Sequence, residues 1–185
     1  MRLMQTKFYI LIVSAISLLF CASTTLQAQN NKVNWLTIEE AVEKVEEEPR
    51  KIFIYIYTDW CGYCQRMEDN TFSHPVIIQM LNEKFYPVKL NAEQEEPITF
   101  QGHEYINENP GERRSAHNFA IAILQGQMSY PSIAFFDEDQ NLITAIAGYR
   151  PPENMEPVLM FFYKEEYKTT PNLEEYIEEF DGEIN

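Results

Sequence analysis

The chain predicts an α/β fold class, a central mixed β-sheet flanked by helices, and three stretches carry that prediction. "KIFIYIY" (51–57) is a continuous apolar run rich in Ile and aromatics, the pattern of a strand covered on both faces. "YPVKLNA" (86–92) reads as a further strand after an intervening helical segment. "YPSIAFFDEDQNLITAIAGYR" (130–150) reads as strand, polar turn and strand, which makes those two strands antiparallel.

The first helix comes from "WLTIEEAVEKVEEEPR". Thr37 followed by Glu40 is a capping box, and Leu36 can staple the helix start. Ile38, Ala41, Val42 and Val45 form its apolar face, and Pro49 ends it. After the first strand, "CQRMED" is helical and breaks near "NTFSHP". Ser73 is the expected cap of a second segment, with Pro75 in its first turn and Val76, Ile77, Met80 and Leu81 buried. "ITFQGHEYI" suits a small hairpin turning at Gln101-Gly102, and "NENPG" is a loop signal. A helix from about Glu112 to Leu124 follows, with Ala116, Phe119, Ala120 and Ile123 inward. "PENMEPVLMFFYKEEYK" is a final helix over the sheet, with Pro157 inside it. "TPNLEEYIEEF" adds a short amphipathic helix with Leu173, Tyr176, Ile177 and Phe180 on one face.

The 185 residues suffice for one domain with a sizeable core and are short for two. Residues 1–28 read as a signal peptide. Arg2 and Lys7 precede an apolar run from Phe8 to Phe20, too short for a span of about 20 residues, and "STTLQAQ" follows. Cleavage after Ala28 leaves 29–185 as a single domain in a periplasmic or otherwise exported compartment, with no stable membrane insertion. Bulky Phe20 directly before Cys21 disfavours lipidation there, so anchoring through Cys21 is the minor alternative and the cysteine is expected to leave with the leader. No acidic residue lies in the first 30. Of 14 basic residues, Arg2 and Lys7 are lost, leaving 12 against 29 acidic, a net charge of −17. Such a surface repels phosphate backbones and anionic lipid, which argues against nucleic-acid or peripheral membrane binding.

Cys61 and Cys64 in "TDWCGYC" then remain as a lone vicinal pair. Outside the cytosol such a pair is a crosslink or a redox centre. A crosslink closing so short a loop removes little unfolded-state entropy. Zinc needs about four ligands; a second Cys pair is absent and His74, His103 and His117 are scattered. A redox centre is the expectation, with neither metal nor cofactor. Cys61 falls where a helix begins, so unpaired N–H groups and the helix dipole stabilise its thiolate. Cys64, one turn on, can attack a mixed disulfide on Cys61 and release the product.

"WCGYC" after an apolar strand, "YPVKLNA" after the next helix, and "YPSIAFFDEDQNL" before "AGYR" together resemble the thioredoxin family over about residues 35–167. Within it the pattern is similar to exported members such as the C-terminal domain of the electron transporter DsbD. The resemblance implies a thioredoxin fold with an insert, taken as helical, at about 93–128 before the cis-proline strand, and a helical extension at 168–185. It implies that Pro131 is cis and that Tyr130 before it pairs with substrate backbone. Trp60, Gly62, Tyr63 and Gly148 complete the implied substrate-binding rim around the redox-active Cys61-Cys64 disulfide.

Proton handling departs from the family. Where many members carry a buried aspartate six residues before the first cysteine, this chain has Tyr55, while Lys89 matches the lysine that accompanies that aspartate. Glu68, four residues after Cys64, lies on the same helical face and is the expected proton relay, with Asp59 another nearby carboxylate. The implied activity is thiol–disulfide exchange with exported protein thiols and disulfides, recharged by a membrane or exported electron donor. A reductase is the first expectation; an oxidase or isomerase, or a non-enzymatic binding or holdase module, are the alternatives. The insert's role, edge cover or groove extension, stays open at this level.

Overall fold

The computed structural model describes residues 31–170 and 172–184; the expected leader and Cys21 lie outside them. In chain order come α1 (Ile38–Glu47), β1 (Ile52–Tyr57), α2 (Gly62–Asn70), α3 (Pro75–Lys84) and β2 (Tyr86–Asn91). The hairpin β3 (Ile98–Phe100) and β4 (His103–Tyr105) and the short α4 (Asn118–Ile123) follow. Then β5 (Ser132–Phe136), β6 (Leu142–Ala147), α5 (Pro152–Tyr163), a 3-10 turn (Glu166–Lys168) and α6 (Leu173–Glu179) complete the chain.

The main sheet has the order β2-β1-β5-β6. β1 runs parallel to β2 and antiparallel to β5, and β5 pairs antiparallel with β6, so the sheet is mixed. Leu36 adds a bridge to Val88 on the outer edge of β2.

Strand alternation explains why β1 sits at the centre. Ile52, Ile54 and Ile56 point to one face, against Ile38, Ala41 and Val45 of α1, Ile98 and Phe100 of the hairpin, and Phe119 of α4. Phe53, Tyr55 and Tyr57 point to the other, against Met67 of α2, Ile77 and Leu81 of α3, and Val158 and Phe162 of α5. The aromatic side chains of β1 therefore line one face only. Phe53 meets Phe135 edge-on at 5.5 Å, and Tyr55 stacks on Tyr57 at 5.5 Å. Each such side chain contributes roughly 1.5–3 kcal/mol on burial.

The capping box at α1 is formed: the Glu40 N–H donates to Thr37 Oγ1 and the Thr37 N–H donates to the Glu40 carboxylate. At α3 the cap falls one residue later than expected, on His74. Ser73 instead donates its hydroxyl to the Asp69 carbonyl at 2.6 Å, closing the end of α2. The hairpin turns at Gln101-Gly102, both with positive φ.

The insert differs from the helical expectation. It holds a hairpin, a loop and a helix that starts only at Asn118. The cause is His117, whose N–H donates to the Ala92 carbonyl at 2.7 Å while its Nδ1 accepts the Phe119 N–H. Tying His117 to the end of β2 keeps the preceding residues from joining the helix. The last long helix is also shorter than its sequence pattern, ending at Tyr163, with Glu165 left-handed beyond it. Buried Lys51 holds Glu165 at 2.9 Å and Glu138 at 2.7 Å, and that ion pair fixes the turn. Beyond it the tail packs back on α5. Tyr176 lies edge-on to Phe161 at 5.1 Å, and the buried Glu156 carboxylate accepts the N–H groups of Glu183 and Ile184.

Burial pushes the His117 imidazole below its ordinary value, and its Nδ1 is needed as an acceptor. The unfolded imidazole takes up a proton that the folded one resists. Its contribution is therefore present above the unfolded value of about 6.5 and is lost as pH falls below it. His117→Asn keeps a side-chain acceptor at the cap and does not titrate. Urea denaturation at about pH 7.5 and about pH 5.5 is expected to show a smaller loss of stability for that variant than for the parent.

Candidate active site

Beyond β1 the chain runs through Thr58, Asp59 and Trp60 to Cys61, which caps α2 with extended backbone angles. The Cys61 N–H donates to the Thr58 carbonyl at 3.1 Å, and Cys61 Sγ accepts the Cys64 N–H at 3.1 Å. No acidic residue occupies the first turn of α2, so the positive end of the helix acts on this sulfur undiminished. Cys61 and Cys64 are disulfide-bonded. Cys61 is 8% exposed and Cys64 1%, so an incoming sulfur reaches Cys61 first.

Beneath the disulfide lies Tyr55. Its hydroxyl sits 3.1 Å from the Cys64 carbonyl oxygen and 3.3 Å from Glu68 Oε1, sharing one proton between them. Glu68 Oε2 pairs with Lys89 Nζ at 2.7 Å, and Lys89 lies over the Tyr57 ring. Burial and the Glu68 carboxylate push the Tyr55 phenol far above its ordinary value, so it stays protonated. The lysine thus has its acid after all: Glu68 supplies from α2 the carboxylate that is missing from β1. Asp59 lies apart from this group, accepting from the Asn91 side chain at 3.2 Å.

Tyr130-Pro131 is cis and opens β5. The Gly148 N–H donates to the Pro131 carbonyl at 2.8 Å, and Gly148 has φ +101°, a conformation that side-chain-bearing residues rarely adopt. Trp60 is 55% exposed, which removes core packing as the reason for it. Its indole N–H donates to both Glu93 carboxylate oxygens, at 3.0 and 2.9 Å, and its ring lies 5.9 Å from that of Tyr130. Burial, together with the Glu93 charge, pushes the Tyr130 phenol up to about 12. Tyr63 is 63% exposed and its ring lies 6.4 Å from Tyr149, over which Arg66 sits. Gly62 is exposed at the start of α2, between Cys61 and Tyr63 in the chain.

The catalytic and rim residues singled out from the sequence lie around this disulfide, at the end of β1, on α2, beside the start of β5 and beside the end of β6, with Lys89 reaching in from β2. Sequence reasoning missed Glu93, Arg114 and Tyr149. Glu93 stands just after the "KLNA" strand end and Tyr149 in "AGYR", so proximity to known features could have flagged both. Arg114 sits in an irregular loop and carried no signal.

The sheet order, the helical crossover between β1 and β2, and the disulfide heading the helix after β1 define a thioredoxin-fold protein. Within that class the chain belongs to the thioredoxin-like domain family, whose model matches residues 38–163. It is 26% identical over 137 residues to the uncharacterized protein B0495.5 of Caenorhabditis elegans, covering 74% of this chain and 17% of that one. It is 33% identical over 70 residues to spermatogenesis-associated protein 20 of Rattus norvegicus, covering 37% of this chain and 9% of that one. The chain thus spans less than a fifth of the length of these curated relatives. A thioredoxin-fold protein from Helicobacter pylori superimposes with a TM-score of 0.53 at 16% identity, covering 76% of this chain and 96% of that one, a likeness of fold.

The Tyr55 hydroxyl ties β1 to α2 in a buried setting. Tyr55→Phe is expected to cost the oxidised protein about 1 kcal/mol in guanidinium denaturation, with the secondary structure content unchanged.

Proposed function

We propose that the protein is an exported thiol–disulfide oxidoreductase that reduces disulfides of exported proteins through Cys61 and Cys64. The observation that carries this reading is the disulfide at the α2 cap with its more accessible sulfur on the residue the helix dipole favours. The leader pattern of residues 1–28 supports export, and among the described residues no helix is long and apolar enough to cross a membrane.

In the reduced state the Cys61 thiolate attacks one sulfur of a substrate disulfide. A Cys61–substrate bond forms, the substrate S–S bond breaks, and the departing thiolate takes a proton from solvent. The Cys64 thiol then loses its proton and attacks Cys61 Sγ. The intramolecular disulfide forms, and the second substrate sulfur leaves as a thiolate and is protonated. Two electrons have passed to the substrate, and an exported or membrane dithiol protein restores the pair. Glu68, one turn beyond Cys64 on α2, is the acceptor for the resolving thiol's proton, and the Tyr55 hydroxyl ties its carboxylate to the Cys64 main-chain carbonyl. Lys89 holds that carboxylate in place. The cis Pro131 and Tyr130 present an edge for an extended substrate segment, and Trp60, Gly62, Tyr63 and Gly148 form the rim around it.

Purified protein with dithiothreitol is expected to reduce insulin disulfides, and Cys61→Ser to abolish this; activity that survives the substitution rules the reading out. Cys64→Ser is expected to trap mixed disulfides through Cys61. Equilibration against glutathione sets the direction: a midpoint near about −270 mV marks a reductant, one near about −120 mV an oxidant.

Glu68→Gln is expected to slow the resolving step about tenfold at neutral pH. The gap should close above about pH 8.5, where a thiol ionises unaided. Stopped-flow rates of mixed-disulfide decay across pH check this.

A further inference from the structure

The insert reaches the active site through a loop that is tied down. Asn107, buried, donates its side-chain amide to the carbonyls of Gln94 at 3.2 Å and Ser115 at 3.1 Å. Its side-chain oxygen accepts the Ser115 hydroxyl at 2.6 Å and the Asn109 N–H at 3.1 Å. One amide thereby fastens the loop to the segment that carries Glu93. Arg114, next to Ser115, adopts φ +63°, an unfavourable conformation for a residue with a side chain. Its guanidinium lies 5.4 Å from the centre of the Trp60 ring. No ion pair holds Arg114 among the described residues; its contact is the indole.

Trp60 is thus held at several points. Glu93 takes its N–H, Tyr130 meets its ring edge-on, and Arg114 stacks on it. Glu93 is fixed in turn, donating its own N–H to Asn91 Oδ1 at 2.9 Å. An exposed indole beside the attacking sulfur would otherwise sample several rotamers, and a substrate segment would have to order it on binding.

We propose that Arg114 is a positioning residue for Trp60, and that the insert is part of the substrate site, selecting disulfides carried in an extended polypeptide over small-molecule disulfides. This rests on the exchange activity proposed above. The hairpin half of the insert covers the β1–β5 face through Ile98 and Phe100, whereas the loop half pre-orders the groove wall. A polypeptide flanking the scissile disulfide packs on the fixed indole; a small disulfide has no flanks and gains nothing from it.

The test compares kcat/KM for a disulfide-closed peptide of about ten residues with kcat/KM for bis(2-hydroxyethyl) disulfide, in the parent, Arg114→Gln and Asn107→Ala proteins. Arg114→Gln is expected to lower the peptide-to-small-disulfide ratio about 2- to 5-fold, the worth of one exposed cation–π contact, acting through KM for the peptide. Asn107→Ala is expected to lower it in the same direction. In a Trp35→Phe background, Trp60 fluorescence anisotropy should fall in both variants. Arg114→Lys should recover part of the ratio, since an ammonium also stacks. An unchanged ratio in Arg114→Gln, or a lowered ratio with unchanged Trp60 anisotropy, overturns the proposal. If the parent protein turns over neither disulfide, it is the exchange activity that fails, and the anisotropy of Arg114→Gln still decides whether Arg114 positions Trp60.

Discussion

Burial of β1 on both faces is the constraint on which everything else in this molecule depends. Six consecutive residues without a charge can be satisfied only by helices above and below, and the two-residue period divides them into an isoleucine face and an aromatic face. The strand then ends at one level, and the chain must turn upward into α2 there. The cysteine that caps that helix therefore stands at the carboxyl edge of the sheet, where an open α/β architecture leaves a crevice. Fold and redox centre come from one physical demand.

The same alternation sets which group lies beneath the disulfide. Tyr55 lies on the aromatic face between Phe53 and Tyr57, so a carboxylate there would have had to be buried among rings. A phenol tolerates that position because it keeps its proton, and its hydroxyl reaches the Cys64 carbonyl. The acid is moved one layer outward, to Glu68 on α2, where about a third of the side chain meets solvent and Lys89 can pair with it. Lys89 reaches across from β2 because Tyr55 and Lys89 are register partners in adjacent parallel strands. A phenol at this position spares the core an ionised group.

Much of this was legible in the chain. The capping box at Thr37 and Glu40, the hairpin turn at Gln101-Gly102 and the strands of the sheet follow from short-range patterns that the tertiary structure did not override. The two helix ends that fall furthest from their sequence pattern share one cause. The helix before β5 starts late because His117 is bound to the end of β2, and the helix after β6 ends early because Lys51 draws in Glu165. Both partners are distant in sequence, and helical periodicity contains no information about either.

By itself, then, the sequence determined the α/β class, the vicinal cysteine pair at a helix start, and Glu68 as the carboxylate one turn beyond Cys64. Each is a matter of local spacing, which 2.0 and 3.6 residue periods express directly. Only the tertiary structure decided which groups meet across the site: Lys89 with Glu68, Glu93 and Arg114 with Trp60, and Tyr149 with Tyr63. Those pairings depend on how strands register and where a loop is pinned, and such long-range closure is settled by packing of the whole chain rather than by any segment of it.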